Sequence, residues 1–226
     1  MRILLVCATP TEIQFVAEKI DKIQKLTPFL WRTKYGTHLI TILITGIGMV
    51  NTALRLSPLL SRSRYDIAIQ IGIAGSYVKE YAIGTVVEVI QENYADLGAE
   101  NNDGTFLNLK HLGFPSLIDE YQSLYFNTFH NLLPSSFDIP KVKSNTVNLC
   151  SGTSETIRKR LTYFNAHIEN MEGAAFFQTC ILYEQPFYSF RAISNYVIPR
   201  DTSQWDISLA TRNLSQKIIN LFTVLS

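Results

Sequence analysis

Six apolar residues in a row, Ile3 to Ala8, open this chain. A strand with no polar face must be covered on both sides, which is the habit of central strands in α/β proteins. Thr9-Pro10-Thr11 then punctuates the chain, with Thr11 a candidate cap. Ile13, Val16, Ala17, Ile20 and Ile23 follow at helical spacing. A second nearly continuous run, Ile67 to Ala74, reads as another central strand. The chain thus alternates strands with helices, and that alternation predicts a parallel-rich sheet with helices on both faces.

The intervening segments fit the same frame. Phe29 to Tyr35 and His38 to Thr45 read as a hairpin turning at Gly36. Thr45-Gly46-Ile47-Gly48 is a strand-to-helix turn, and Pro58 is expected to end or kink the helix after it. Gly84 to Ile90 is β-rich and extends towards Tyr94 to Asp96. Asn101-Asn102-Asp103-Gly104 marks a turn. Phe106 to Pro140 is irregular, with a short helix over Leu117 to Asn131, and reads as an insertion or interface. Its aromatics are more often local core than ligand contacts. Val142 to Leu149 alternates as a strand should, and Ile157, Leu161 and Phe164 recur at helical spacing. Phe187 to Ser194 is the last strand. A closing helix begins near Trp205, with Ile207, Ala210, Leu214, Ile218, Leu221 and Leu225 on one face.

At 226 residues and 46% hydrophobic, the chain can bury one sizeable core, and residues 1–226 read as one domain. Twenty Lys and Arg against nineteen Asp and Glu argue against nucleic acid or an anionic membrane as the main partner. The first apolar run is too short for a signal peptide, and nothing approaches the roughly 18 apolar residues of a spanning helix. Cys7, Cys150 and Cys180 form no Cys-x-x-Cys pair and the His residues are scattered. Reduced thiols, a cytoplasmic location, no metal and no cofactor are expected.

Chemistry gathers where strands end. Ile168-Glu169-Asn170-Met171-Glu172-Gly173 precedes Ala174 to Tyr183, a run apolar on nearly every side that reads as a buried helix. Glu172 therefore sits at the start of an interior helix, whose positive end tolerates an acid. A charge with little water around it usually has a partner or a task. Glu12 falls where the first strand hands over to the first helix. In open α/β sheets ligands sit at that edge. Gly72-Ile73-Ala74-Gly75-Ser76 offers either a simple tight turn or exposed amides for an oxyanion. Gly46-Ile47-Gly48 is either close packing of a turn or a weak dinucleotide signal.

The ordered set Glu12, Thr45-Gly46-Ile47-Gly48, Gly72-Ile73-Ala74-Gly75, Met171-Glu172-Gly173-Ala174 and Arg191-Ala192-Ile193-Ser194-Asn195 resembles the nucleoside phosphorylase/nucleosidase superfamily. Within it, Asn195-Tyr196, Pro199-Arg200-Asp201 and Trp205 make the chain most similar to the futalosine hydrolase family, nucleosidases of a menaquinone-forming pathway. The resemblance implies a nucleoside phosphorylase-like fold: α/β, one domain, a mixed and mostly parallel central sheet flanked by helices. It also implies cleavage of the bond between purine and ribose, through a sugar that becomes cationic.

On this resemblance Glu12 is the general base on water. Glu172 takes the ribose hydroxyls and Met171 lies against the sugar. Glu169 is a flanking contributor, with a solvent-facing strand residue as its alternative. Asn195 meets the departing base; an amide there suits a 6-oxo purine such as hypoxanthine better than adenine. Ser76 and Gly75 border the water and ribose. The backbone of Thr153 to Thr156 reads the base edge. Phe106, with Tyr77, Phe114 and Arg200, is a candidate for the 5′ end, and the segment from Phe106 to Pro115 is expected to come from a neighbouring subunit of a homo-oligomer, a dimer or higher. Between Ala8 and Lys19 there is no Arg or Lys to hold phosphate, so water is the expected nucleophile. Methylthioadenosine or adenosylhomocysteine nucleosidase, phosphorylase, and nucleoside-binding module are the competing expectations.

Overall fold

Leu4 and Val6 pack into one apolar cluster while Ile3, Leu5 and Cys7 pack into another, so the first strand is buried on both faces. Each fully buried side chain of this kind contributes about 1.5–3 kcal/mol relative to exposure. That strand, β1 (Arg2–Cys7), lies inside a mixed sheet in a computed structural model that describes residues 1–20, 22–109, 111–114 and 137–225.

The order of elements follows the sequence. After β1 come α1 (Pro10–Ala17), β2 (Gln24–Lys25), the hairpin β3 (Leu30–Tyr35) and β4 (His38–Ile44), and α2 (Met49–Arg62). Next come β5 (Ile67–Ser76), β6 (Val86–Tyr94) and a small hairpin of β7 (Gly98–Glu100) with β8 (Phe106–Asn108). Then follow β9 (Lys141–Thr146), α3 (Ser154–Tyr163), β10 (Ile168–Asn170), α4 (Gly173–Leu182), β11 (Phe187–Tyr196) and α5 (Ile207–Val224). Among the described residues the main sheet runs β10-β9-β6-β11-β5-β1-β4-β3-β2. Its central pairs, β1 with β4 and β5, and β11 with β5, are parallel, as are β6 with β9 and β9 with β10. The β3–β4 hairpin and the β6–β11 pair are antiparallel. One apolar cluster carries residues of α1 and α5, and the other carries residues of α2 and α4.

Two expectations change, and a third is not tested. Helix α1 stops at Ala17, and Ile20 and Ile23 reach the core from the irregular chain beyond it. Helix α2 runs through Pro58 to Arg62. The helix expected over Leu117 to Asn131 lies outside the described residues.

The hairpin does turn at Gly36, whose φ of +54° is the left-handed conformation that favours glycine. Asp206 caps α5, accepting from the amide of Leu209 at 2.8 Å. The topology brings the carboxyl ends of β1, β5 and β11 side by side, because the three strands are parallel neighbours.

Candidate active site

Glu12 is the third residue of α1, and its carboxylate folds back onto the strand end that precedes the helix. Oε2 accepts the amides of Ala8 at 2.8 Å and Thr9 at 3.0 Å. Oε1 accepts the amide of Ile73, in β5, at 3.2 Å. The residue is buried, although it stands in the first turn of a helix, where an acid is more often solvated. Burial and the nearby negative charge of Glu172 raise its pKa above the ordinary carboxylate value, while Arg191 and the amides of Thr9 and Ile73 pull it down.

Glu172 is the residue before α4, with its carboxylate turned away from the helix's own amides, and is also buried. Its Oε1 accepts the amide of Gly48 at 3.0 Å, and its Oε2 lies 3.6 Å from Nη1 of Arg191. Gly48 has a φ of +94°, which a side chain would strain, and its amide is engaged with Glu172. The Gly46-Ile47-Gly48 turn therefore positions an acid, a role neither of its two sequence readings contained.

Arg191 is the buried cation that the sequence reading placed only within a motif. Its Nη2 donates to Oδ1 of Asn170 at 3.2 Å. A Cβ on Gly72 would lie 2.2 Å from Arg191 Nη1 and 2.8 Å from Glu12 Oε1, so the guanidinium and the carboxylate crowd one glycine. Only a residue without a side chain fits there. Glu12 and Glu172 with one arginine leave one net negative charge when both acids are ionised. That balance favours a sugar that becomes cationic.

Asn170 organises the turn. Its Oδ1 accepts from the amides of Glu172 at 2.9 Å and Gly173 at 2.6 Å, as well as from Arg191. Its Nδ2 donates to Oε1 of Glu92 and to Oγ of Ser144, each at 2.7 Å. Glu92 is fully buried, accepts from Thr146 Oγ1 at 2.8 Å, and has its pKa pushed up to about 7 by burial. Neither Glu92 nor Asn170 carried a sequence signal of its own, since their meeting depends on β6 lying near β10 through β9.

Glu169 does not face solvent. It is buried and paired with Arg160 at 2.8 Å, and it accepts from the amide and hydroxyl of Ser151 at 2.7 and 2.6 Å. The Tyr77 hydroxyl also donates to it, and the tyrosine pKa is raised by burial and by the Glu169 charge. This network pins the loop after β9 onto β10. A buried acid with a full set of donors is a structural anchor.

Asn195 lies at the end of β11, opposite Gly75 on β5 and just past an irregularity between Ile193 and Asn195. Its Oδ1 accepts from Ser194 Oγ at 2.8 Å and its Nδ2 donates to the Tyr196 carbonyl at 3.0 Å. A Cβ on Gly75 would stand 3.1 Å from that Nδ2, so the glycine makes room for the amide. Met171 is half-buried between Asn170 and Glu172.

The remaining sequence candidates sit in other settings. Ser76 is buried and turned into its own bend, donating to the Val78 carbonyl at 2.7 Å. Thr153 caps α3 by accepting the Thr156 amide at 3.2 Å, and the two hydroxyls bond each other at 3.0 Å. Cys150, in the loop before Thr153, has its thiol pKa raised by burial and by the charge of Glu169. Phe106 packs against Tyr163 and Phe164, with ring centroids 5.8 and 5.7 Å apart. Among the described residues no group of His, Cys, Asp and Glu is arranged to hold a metal. No described helix is long and apolar enough to cross a membrane.

With this geometry in place, the comparisons give it a context. The sequence model of the phosphorylase superfamily matches residues 2–225. The chain is 32% identical to futalosine hydrolase of Thermus thermophilus over 198 residues, 84% of each protein. It is 25% identical to a 5′-methylthioadenosine/S-adenosylhomocysteine nucleosidase of Bacillus thuringiensis over 86% of each. Its fold matches the solved Helicobacter pylori 5′-methylthioadenosine/S-adenosylhomocysteine nucleosidase with a TM-score of 0.81, at 18% identity and over 99% of this chain and 98% of that one.

Proposed function

Because this chain belongs to the phosphorylase superfamily, we propose that it hydrolyses the N-glycosidic bond of futalosine, releasing hypoxanthine and dehypoxanthine futalosine. The chain is a nucleosidase, like its relatives. The finer choice of substrate is the proposal, and one observation carries it. The side chain offered at the end of β11 is an amide, Asn195, whose orientation Ser194 and Tyr196 fix. An amide both donates and accepts, so it pairs with the ring nitrogen and 6-oxo group of hypoxanthine without supplying an acidic proton.

In this reading Glu12 takes a proton from water as the bond breaks. Its raised pKa makes it a better base than an ordinary carboxylate. Glu172 receives the ribose hydroxyls on lone pairs that Gly48 and Arg191 leave open. Met171 supplies the apolar wall of the sugar. The amides of Ala8 and Thr9 are taken by Glu12, and no Arg or Lys stands between Ala8 and Lys19 to hold phosphate, which favours water. We assign Gly75 the close approach beside the base. Ser76 stands beside the water and ribose, the Thr153 to Thr156 turn at the base edge, and Phe106 is a substrate contact contributed by a neighbouring subunit. A cytoplasmic homo-oligomer of one nucleosidase domain, residues 1–226, serving menaquinone formation, completes the proposal.

The test is chromatographic identification of the base freed from futalosine, methylthioadenosine and adenosylhomocysteine, with and without phosphate. Hypoxanthine from futalosine, independent of phosphate, is the expected result. Faster release of adenine from methylthioadenosine would overturn the choice of substrate, and a phosphate requirement would overturn hydrolysis.

A further inference from the structure

A cavity of about 790 Å³ opens on the sheet at the end away from the acids. Arg2, which lines it, is the first residue of β1, whereas Glu12 follows the last. Register fixes the floor. Arg2 pairs with Leu39 and Leu39 with Lys34, so the three stand abreast on β1, β4 and β3. Two residues along, Thr41 pairs with Arg32 and continues the same face. On β4 the alternate residues Ile40, Ile42 and Ile44 pack in the cluster that includes residues of α1 and α5, and Ile40 with its partner Thr33 also borders the cavity.

Helix α2 covers this face only in part. Leu56 and Leu60 pack in the same cluster as Leu43, but the helix ends at Arg62. Leu39 is left 51% exposed, a large apolar side chain on the floor of a concavity. Four cations surround it: Arg2, Lys22, Arg32 and Lys34. None of the described lining residues is acidic, and none of the four cations makes a salt bridge among the described residues. Asp66 accepts the backbone amide of Arg2 at 2.7 Å. The Arg2 guanidinium lies 5.6 Å above the ring of the buried Tyr65, which holds it in place. The whole chain carries a net charge of only +1, so this gathering is local and not a consequence of composition.

Four cations in one hollow, without a salt bridge among the described residues, raise the local potential and favour an anion of several charges. The hollow falls within the roughly 300–1,000 Å³ of small-molecule sites, and its cations cluster at one place and do not run along the surface as a nucleic acid strand would need. A lone phosphate would leave the apolar floor unused. We propose that this cavity binds a nucleoside di- or triphosphate, with its phosphates on Arg32 and Lys34 of β3 and its nucleoside over Leu39 and Thr41 of β4, towards Arg2. It is a second site, separate from the catalytic cluster.

Titration calorimetry of the full chain tests this, with ATP as the probe and adenosine, inorganic phosphate and a short single-stranded oligonucleotide as comparators. ATP is expected to bind at one site per chain, roughly tenfold or more tighter than adenosine or phosphate. The R32E/K34E double variant is expected to weaken ATP roughly tenfold or more and leave nucleoside cleavage unchanged. If that variant fails to fold, R32Q/K34Q carries the same comparison with smaller change. Equal loss of ATP and adenosine binding in the R32E/K34E variant would overturn the nucleotide assignment, because adenosine also reaches the catalytic cluster. So would binding that survives both double variants. Phosphate binding as tight as ATP would overturn the nucleotide, and tighter oligonucleotide binding would show the surface to serve nucleic acid.

Discussion

Arg191 Nη1 stands 3.6 Å from Oε2 of Glu172, and its side chain is 1% exposed. The same guanidinium touches the Asn170 amide oxygen and crowds Gly72 beside Glu12. One cation thus serves a buried cluster in which Glu12, Glu92 and Glu172 supply the acids. Replacing it with the apolar Arg191→Met leaves those carboxylates without a counter-charge, and removal of one partner from a buried pair costs about 3–5 kcal/mol. Denaturant unfolding should show a loss of that size. An unchanged midpoint would mean that the acids already hold protons.

Glu12→Gln keeps the shape of the side chain and removes its basicity. A positioned base contributes roughly 10²–10⁴-fold, and nucleoside cleavage should fall by that factor while binding of an uncleavable nucleoside analogue persists. Since the Glu12 pKa is raised, the acid limb of the wild-type rate profile should lie above the ordinary carboxylate range. Full activity in the variant would remove Glu12 from the base role.

Asn195→Asp places a second oxygen against the Tyr196 carbonyl where Nδ2 now donates. Two acceptors repel unless the new acid is protonated, so the variant should lose its match to a 6-oxo base. We expect kcat/KM with futalosine to fall roughly hundredfold or more. Initial rates on purified protein check this, and a variant equal to wild type would show that the amide does not meet the base.

Gly173→Ala tests the packing under the acid turn. The new Cβ would stand 1.8 Å from Glu92 Oε1 and 2.4 Å from its Cδ, in a side chain already hydrogen-bonded on both oxygens. Overpacking of this kind costs about 1–3 kcal/mol or more. Thermal melting should drop accordingly, and activity with it, because Glu172 is the neighbouring residue.

Glu92 makes stability depend on pH. Its folded pKa is pushed up to about 7 from an ordinary value of 4.5. Between those values the folded chain keeps a proton that the unfolded chain releases, so stability falls as pH rises from about 4.5 to about 7 and then levels off. The slope for one fully held proton is about 1.4 kcal/mol per pH unit. Glu92→Gln should flatten that part of the curve in denaturant titrations at several pH values. A variant curve parallel to wild type would assign the slope to Glu12, whose shift has the same sign.

The run Ile3 to Ala8 determined by itself that a strand would be covered on both faces, because no residue in it tolerates water on either side. Periodicity likewise placed the β3–β4 hairpin and the closing helix, and the segment ends placed Glu12, Glu172 and Asn195 at one sheet edge. These are local properties, carried by spacing of two or 3.6 residues. What tertiary structure alone decided was which charges meet. Arg191, Asn170 and Glu92 come together because β11, β10 and β6 share a sheet. Glu169 turned out to be an anchor because Arg160 reaches it from α3. The basic hollow exists because Arg2, Leu39 and Lys34 fall in register across three strands. Electrostatic partnership depends on distance through space, and sequence spacing says nothing about it until the strands are paired.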